Sequence, residues 1–340
     1  MSVRQVRVHG PGDVRVDEVA APDPGPRDAV VRVAACGICG SDLSYIRLGG
    51  TRGPGAAPMC LGHEISGTVD WVGGEVRDVA VGDRVVVLPG NDELGRIGNG
   101  AAEGGLTPLL LIREASRVRR LFRVPDALPL DVAALAEPLA VGMQAAARAE
   151  VRRGEKVAVF GCGPIGLFAL ATLLDRGIDD VVAIDLNPRR RELALALGAQ
   201  AALDPAACDV WDELSRLHGT APFMSGPTPA TNAFIEASGA ASVVGDVLAR
   251  GRAGGRLSIV ALHYQPIPTN FLLVMMKQFS IHGSMEYPPR FEDALDLLAR
   301  RDLSRVITHR VPLARFDDAL GVLRGSADCG KLLVTMEDER

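Results

Sequence analysis

Two short stretches carry side chains of the kinds that bind metal ions. The first reads Cys36-Gly37-Ile38-Cys39-Gly40-Ser41-Asp42 and the second Cys60-Leu61-Gly62-His63-Glu64. By spacing alone they offer C-x-x-C followed by C-x-x-H, the ligand set of a closed structural zinc site. A second reading takes one thiolate, Cys39, and one imidazole, His63, as ligands of an open zinc. Glu64 is then a third ligand or a neighbour of the metal, and a water or substrate oxygen fills the vacant position. Spacing does not choose between the two. The neighbours favour the open site. A site that only holds a loop has no use for Ser41, Asp42 or Glu64, whereas a catalytic zinc needs carboxylates to orient the imidazole and a hydroxyl to pass a proton.

A third stretch has the order that a dinucleotide requires. Val157-Ala158-Val159-Phe160 is a short apolar run that reads as a buried strand. Gly161-Cys162-Gly163-Pro164-Ile165-Gly166 follows, then the start of a helix at Leu167-Phe168-Ala169, and a second apolar run, Val181–Ile184, ending on Asp185. Gly161 allows a tight turn, Gly163 lets the backbone approach a pyrophosphate, and Gly166 lets the helix pack on the strand. The first-turn amides of that helix have no internal partner and face the anion. Asp185, 19 positions past Gly166, is placed to accept from the ribose hydroxyls of the adenosine half. Its charge repels the extra phosphate of NADP, which favours NAD. Arg189 and Arg190 temper that preference, because arginine holds phosphate well.

The rest of the chain must position these groups. With 340 residues, two domains are expected. A hydrophobic share of 47%, a charged share of 23% and a net charge of −5 describe a globular protein. Lys and Arg are scattered, which argues against a nucleic-acid partner. The start, Met1-Ser2-Val3-Arg4-Gln5, has no apolar signal region, and no apolar run comes near the roughly 18 residues that a membrane span needs. Six cysteines in a chain this long point to a reducing compartment, so a cytoplasmic protein is expected. Residues 1 to about 138 show short β-rich runs parted by Pro, Gly and Asp, the pattern of an antiparallel barrel or sandwich. From Val141 strands and helices alternate, the signature of a parallel sheet. The histidines His9, His218, His263, His282 and His309 stand in no metal spacing and read as hydrogen-bonded or surface residues.

Taken in order, Gly37-Ile38-Cys39-Gly40-Ser41-Asp42, Gly62-His63-Glu64, Val81-Gly82-Asp83-Arg84-Val85 and the turn at 161–166 resemble the zinc-dependent medium-chain dehydrogenase/reductase family. Within it, they are similar to the polyol (sorbitol-like), threonine and butanediol dehydrogenase branch. The resemblance implies an α/β plus β fold. A GroES-like β-barrel catalytic domain would take residues 1–138 and 281–340, and a Rossmann domain with a doubly wound parallel sheet would take 139–280. It implies that Cys39 and His63 ligate a catalytic zinc and that Glu64, or Glu137 in Leu135-Ala136-Glu137-Pro138, completes the shell. Asp42 would stand behind the metal, and Ser41 would relay the alcohol proton. Cofactor contacts are expected from Gly161, Gly163, Pro164, Ile165, Gly166, Asp185 and Arg190.

Two departures from the family pattern stand out. Pro89 to Pro108 contains no cysteine where many members carry four that hold a structural zinc, so one zinc per chain is expected. Ser44 stands where many members have a histidine at the end of the proton relay. The expected activity is NAD-dependent interconversion of a secondary alcohol and its ketone, with a small-molecule substrate, no membrane partner, and a homodimer or homotetramer. The apolar segment Phe271–Met276 would suit a bulky alcohol. The alternatives are a zinc-free NADPH-dependent reductase of double bonds on the same plan, and a non-catalytic nucleotide-binding protein with a structural zinc at Cys36, Cys39, Cys60 and His63.

Overall fold

The computed structural model describes residues 2–90, 92–325 and 329–336. The first strands are β1 (Ser2–Gly10), β2 (Asp13–Ala20), β3 (Ala29–Gly37), β4 (Met59–Cys60), β5 (Glu64–Val72), β6 (Arg84–Val87), β7 (Leu109–Ile112) and β8 (Leu121–Arg123). One helix, α1 (Gly40–Leu48), interrupts them, and α2 (Leu130–Ala133) and α3 (Ala136–Arg148) follow. Then strand and helix alternate: β9 (Val157–Phe160), α4 (Pro164–Asp175), β10 (Val181–Ile184), α5 (Pro188–Leu197), β11 (Ala201–Leu203), α6 (Val210–His218), a small hairpin of β12 (Thr220–Ala221) and β13 (Thr228–Pro229), β14 (Ala233–Glu236), α7 (Ala241–Arg250), β15 (Arg256–Ile259), α8 (Phe271–Lys277), β16 (Ser280–Gly283) and α9 (Glu292–Arg300). The chain ends with β17 (Ile307–Pro312), α10 (Phe316–Gly325) and β18 (Lys331–Thr335).

The chain forms two compact units, residues 1–137 with 298–340 and residues 138–297. In the first, among the described residues, a seven-stranded sheet runs β17-β18-β3-β5-β6-β8 with β7 also on β3, and a small sheet runs β2-β1-β4. Most pairings are antiparallel; only β17 and β18 run parallel. The core joins Val31, Ile65, Leu106 and Leu110 to Leu313, Phe316, Leu332 and Val334. The tail therefore belongs to the same core as the N-terminal strands, because β18 pairs with β3. Asn91, within the cysteine-free segment, and the tail residues 326–328 and 337–340 lie outside the described residues.

The second unit holds a parallel sheet in the order β11-β10-β9-β14-β15-β16. Its inner strands β9, β10 and β14 are buried along their whole length, as a sheet covered on both faces requires. Helix α4 starts with Pro164 in its first turn after Gly163, where a missing N–H costs nothing. Asn187 caps α5 by accepting from the Arg190 amide, and Gly198 ends it at φ 114°. The domain boundary differs from expectation. Ser280–Gly283 pairs in parallel with β15, so its backbone groups are satisfied inside this sheet. The chain passes to the first unit through α9, not at 281.

The stretch Leu130–Arg148 is, against expectation, long and apolar enough to cross a membrane by length and composition, yet 72% of its apolar window is buried inside the protein. It packs as a core segment. Phe271 and Met275 of α8 are 72% and 65% exposed, so this segment presents a surface.

Candidate metal centre and dinucleotide site

The first site is built where α1 begins and β5 begins. Asp42, in the first turn of α1, accepts from the Cys39 amide at 2.9 Å. That bond holds the residue before the helix and with it the Cys39 side chain. The other Asp42 oxygen, Oδ1, stands 3.4 Å from His63 Nδ1. With Nδ1 turned toward Asp42, Nε2 is the nitrogen left for an ion. The Cys39 thiol, the His63 ring and the Glu64 carboxylate bring one ligand atom each within 4.8 Å of one another.

Two buried polar atoms here have no hydrogen-bond partner among the described residues, Asp42 Oδ1 and His63 Nδ1. Burying such groups unpaired is unfavourable. A divalent cation held by Cys39, His63 and Glu64 would complement this cluster of negative groups, so the donor set fits zinc. Burial alone would lower the His63 pKa, but the neighbouring Asp42 carboxylate, with Cys39, outweighs it and holds the ring well above its ordinary value.

Glu64 is fully buried and its carboxylate pairs with the Lys331 ammonium, itself 2% exposed. Lys331 also donates to the Ile38 carbonyl at 3.0 Å. Burial works against the charged lysine, but the Glu64 and Cys39 charges outweigh it and raise its pKa. This pairing depends on register: Gly37 faces Glu64 across β3 and β5, and Leu333 faces Gly37 across β18 and β3. Gly37 has to be glycine, since a Cβ there would overlap Glu64 Oε2 and press on Lys331. No motif marked Lys331; an invariant-looking spacing does not exist for a partner so far along the chain.

Glu137 sits in the first turn of α3, 7% exposed, and its charge is felt at Lys331. It is not part of the three-residue group at Cys39, His63 and Glu64. Ser41 lies in α1, one turn before Tyr45. Burial raises the Tyr45 hydroxyl, while His63 and Ser41 act the other way. Tyr45 is thus a neighbour of the site that the motifs did not mark; only its i,i+4 spacing from Ser41 could have suggested it. Ser44 Oγ turns to the Gly40 carbonyl at 3.4 Å. The four-ligand alternative is not assembled. Cys60 Sγ donates to Gln5 Oε1 and the Ala102 carbonyl at 3.3 and 3.1 Å. Cys36 is fully buried with a thiol that burial pushes far up.

The segment Pro89–Pro108 is pinned by a buried guanidinium. Arg120, 3% exposed, donates to both Asp92 oxygens at 2.7 Å, to the Gly95 carbonyl at 2.8 Å and to the Pro89 carbonyl.

The second site lies at the carboxyl ends of β9, β10 and β14. A cavity of about 600 Å³ is lined by Gly161, Gly163, Asp185, Arg190, Trp211 and Ser238 among others. Its place follows from topology, since the strand order reverses between β9 and β14 and ligands bind at such a switch point. Gly161 has φ 92°, and a Cβ there would stand 2.6 Å from the Ser238 amide. A Cβ on Gly166 would overlap the Gly161 carbonyl. The turn is therefore a close-packed cradle in which Gly163 alone faces open space, with Arg190 Nη1 4.0 Å from where its Cβ would be. Asp185 Oδ2 accepts from the Cys162 amide at 2.6 Å and Oδ1 from the Asn187 amide at 2.7 Å. Burial, then the Asp185 charge, pushes the Cys162 thiol up to about 12. Arg189 pairs with Glu192 on the surface, and Arg191 binds the carbonyls of Asp185 and Leu186. Pro164 and Ile165 open α4 beside this cradle. The cradle and its acid fit a dinucleotide.

Residues 25–119 match the alcohol dehydrogenase GroES-like domain, and residues 164–300 match the zinc-binding dehydrogenase family. Sorbitol dehydrogenase of Homo sapiens is 31% identical over 323 residues, which cover 91% of this chain and 89% of that protein. The chain belongs to the zinc-dependent medium-chain dehydrogenase/reductase family. Among solved structures, 2R,3R-butanediol dehydrogenase from Bacillus subtilis has a TM-score of 0.86 at 29% identity, covering 98% of this chain and 99% of that one. Galactitol-1-phosphate dehydrogenase from Escherichia coli has a TM-score of 0.83 at 25% identity over 98% and 99%. The two units of this dehydrogenase are accordingly a GroES-like domain and a Rossmann domain. Its cofactors are zinc and NAD(P), and its substrates are small alcohols and ketones.

Proposed function

We propose that this dehydrogenase interconverts a polyol or diol and its ketone with NAD, using one zinc per chain and no structural zinc. The observation that carries the reading is the convergence of Cys39, His63 and Glu64 with Asp42 aimed at His63. These residues would hold the zinc, with Glu137 the candidate to exchange with Glu64. Bound there, zinc supplies Lewis acidity to an alcohol oxygen, and NAD supplies a hydride acceptor. The chain's own residues do the rest. Asp42 orients the His63 ring. Ser41, one turn before Tyr45 on α1, takes the alcohol proton and passes it on through hydroxyls, since Ser44 faces a backbone carbonyl. Lys331 fixes Glu64.

NAD is favoured because Asp185 is held rigidly at the cavity by two amides, which sets a negative charge where NADP carries its extra phosphate. Arg190 lines the same cavity and works the other way. The single-zinc reading rests on the Arg120 clamp, which organises Pro89–Pro108 without thiolates. We place the enzyme in the cytoplasm, as a homodimer or homotetramer. The edge position of β16 and the exposed α8 support self-association.

The test is metal analysis with a panel of polyols, diols and cyclic alcohols, read as reduced cofactor with NAD and with NADP. One zinc per chain, turnover of a vicinal diol or polyol, and unchanged zinc in Cys36→Ser are expected. Turnover that survives chelation, or zinc lost with Cys36, would overturn the reading.

A further inference from the structure

Another buried carboxylate stands at the carboxyl edge of the Rossmann sheet. Glu236 ends β14 and is fully buried. Its Oε1 accepts from the Ser238 amide at 2.8 Å, the Ser238 hydroxyl at 2.6 Å and the Gly239 amide at 2.8 Å. Its Oε2 stands 2.8 Å from His263 Nε2. Its carbonyl accepts from the amides of Val260 and Ala261 at 3.0 and 3.2 Å. One residue thus ties together the loop after β14 and the loop after β15, both at the switch point where the dinucleotide crevice opens.

A carboxylate is costly to bury, and the hydrogen bonds around it offset that cost. Its neighbour His263 has the features of a ligand group. Nε2 faces the carboxylate and donates to it, which leaves Nδ1 as the ring nitrogen turned to other partners. Among the described residues, Nδ1 makes no hydrogen bond. The side chains on either side, Leu262 and Tyr264, are each 55% exposed. His263 does not line the cavity that Asp185 and Trp211 share. Asp185 follows β10, on one side of β9, whereas Glu236 and His263 follow β14 and β15, on the other. If the adenosine half lies with Asp185 and the pyrophosphate at the glycine turn, the other half of the dinucleotide extends toward His263.

We propose that His263, aligned by Glu236, accepts a hydrogen bond from the nicotinamide riboside half of the cofactor. The inference rests on the dinucleotide reading of the glycine turn and deepens it. The donor on the ligand is a ribose hydroxyl or the carboxamide N–H. Glu236 is a positioning residue that acts through His263.

Titration calorimetry with ADP, ADP-ribose and NADH tests this on the full chain. His263→Ala is expected to weaken NADH about tenfold, the loss of one hydrogen bond, and to leave ADP unchanged. Parallel weakening of ADP-ribose assigns the ribose hydroxyl as donor; unchanged ADP-ribose assigns the carboxamide. His263→Asn, whose carbonyl oxygen replaces Nδ1 as acceptor, restores most of the affinity. Glu236→Gln reproduces the His263→Ala loss, and the double variant is no worse than either alone. In turnover, KM for NAD rises while kcat stays within about threefold. Equal weakening of ADP and NADH would mean that the pair only supports the fold, and unchanged NADH affinity in His263→Ala would also overturn the proposal. A wild-type chain that binds neither ADP nor NADH would remove the dinucleotide reading itself.

Discussion

Lys331 holds its ammonium against the Glu64 carboxylate in a place where neither group meets solvent, their side chains being 3% and 0% exposed. The pair stands directly beside the Cys39–His63 group, where the same carboxylate would also serve a bound zinc. Replacing the lysine by a neutral side chain leaves a buried, unpaired anion. Lys331→Met is expected to cost about 3–5 kcal/mol in the metal-free protein. Urea unfolding after chelation measures it. Added zinc should recover part of the loss, because a cation that binds only the folded state stabilises it. A loss under 1 kcal/mol would contradict a tight pair.

Arg120 ties the Pro89–Pro108 segment together through Asp92 and the Pro89 and Gly95 carbonyls. Arg120→Met would strand the Pro89 and Gly95 carbonyls and the Asp92 carboxylate. A destabilisation of about 2–4 kcal/mol follows from removing one side of a buried charged pair. Zinc content should stay at the wild-type value. Loss of zinc in this variant would show that a metal holds the segment.

His218 sets an acid limit in the Rossmann unit. Its ring bonds Thr231 Oγ1 at 2.8 Å, and burial lowers its pKa from 6.5 to about 4. The folded value is the depressed one, so the unfolded chain binds the proton first. The neutral ring's stabilisation is present above pH 6.5 and is lost as pH falls from there toward 4. The loss by pH 5 is roughly 1–2 kcal/mol. Unfolding midpoints at pH 7, 6 and 5 should converge in His218→Gln, whose side chain does not titrate. An equally steep acid slope in that variant would rule His218 out.

Strand β16 lies at the edge of the parallel sheet, and Ile281 on it is 36% exposed. A sheet edge that exposes an apolar side chain invites a second copy. Ile281→Lys should shift the light-scattering mass toward a single chain while leaving the unfolding midpoint of each unit within about 1 kcal/mol of wild type. A wild-type protein that is already monomeric would refute the self-association.

Much of the candidate site is legible in the sequence. The glycine turn, the acid after the second strand and the identities of Cys39, His63 and Glu64 all depend on local chemistry. A turn that needs φ of 92° at Gly161 or an unbranched approach at Gly163 leaves its mark on neighbouring positions. What spacing alone left open was which of Cys36, Cys39, Cys60 and His63 come together, because four donors in two loops allow more than one arrangement.

Only the tertiary structure decided the rest. Lys331 is 267 positions from Glu64, and no local pattern ties them. They meet because β18 pairs with β3 and β3 with β5 in one register, and a slip of one residue would turn either side chain to the other face. Glu236 and His263 meet because β14 and β15 lie side by side, and β16 stays with the Rossmann sheet because β15 offers its backbone a partner. The chain's own chemistry marked the candidate metal ligands and the glycine turn. Strand pairing chose the charged residues that hold them in place, since pairing is a property of the whole sheet and not of any one segment.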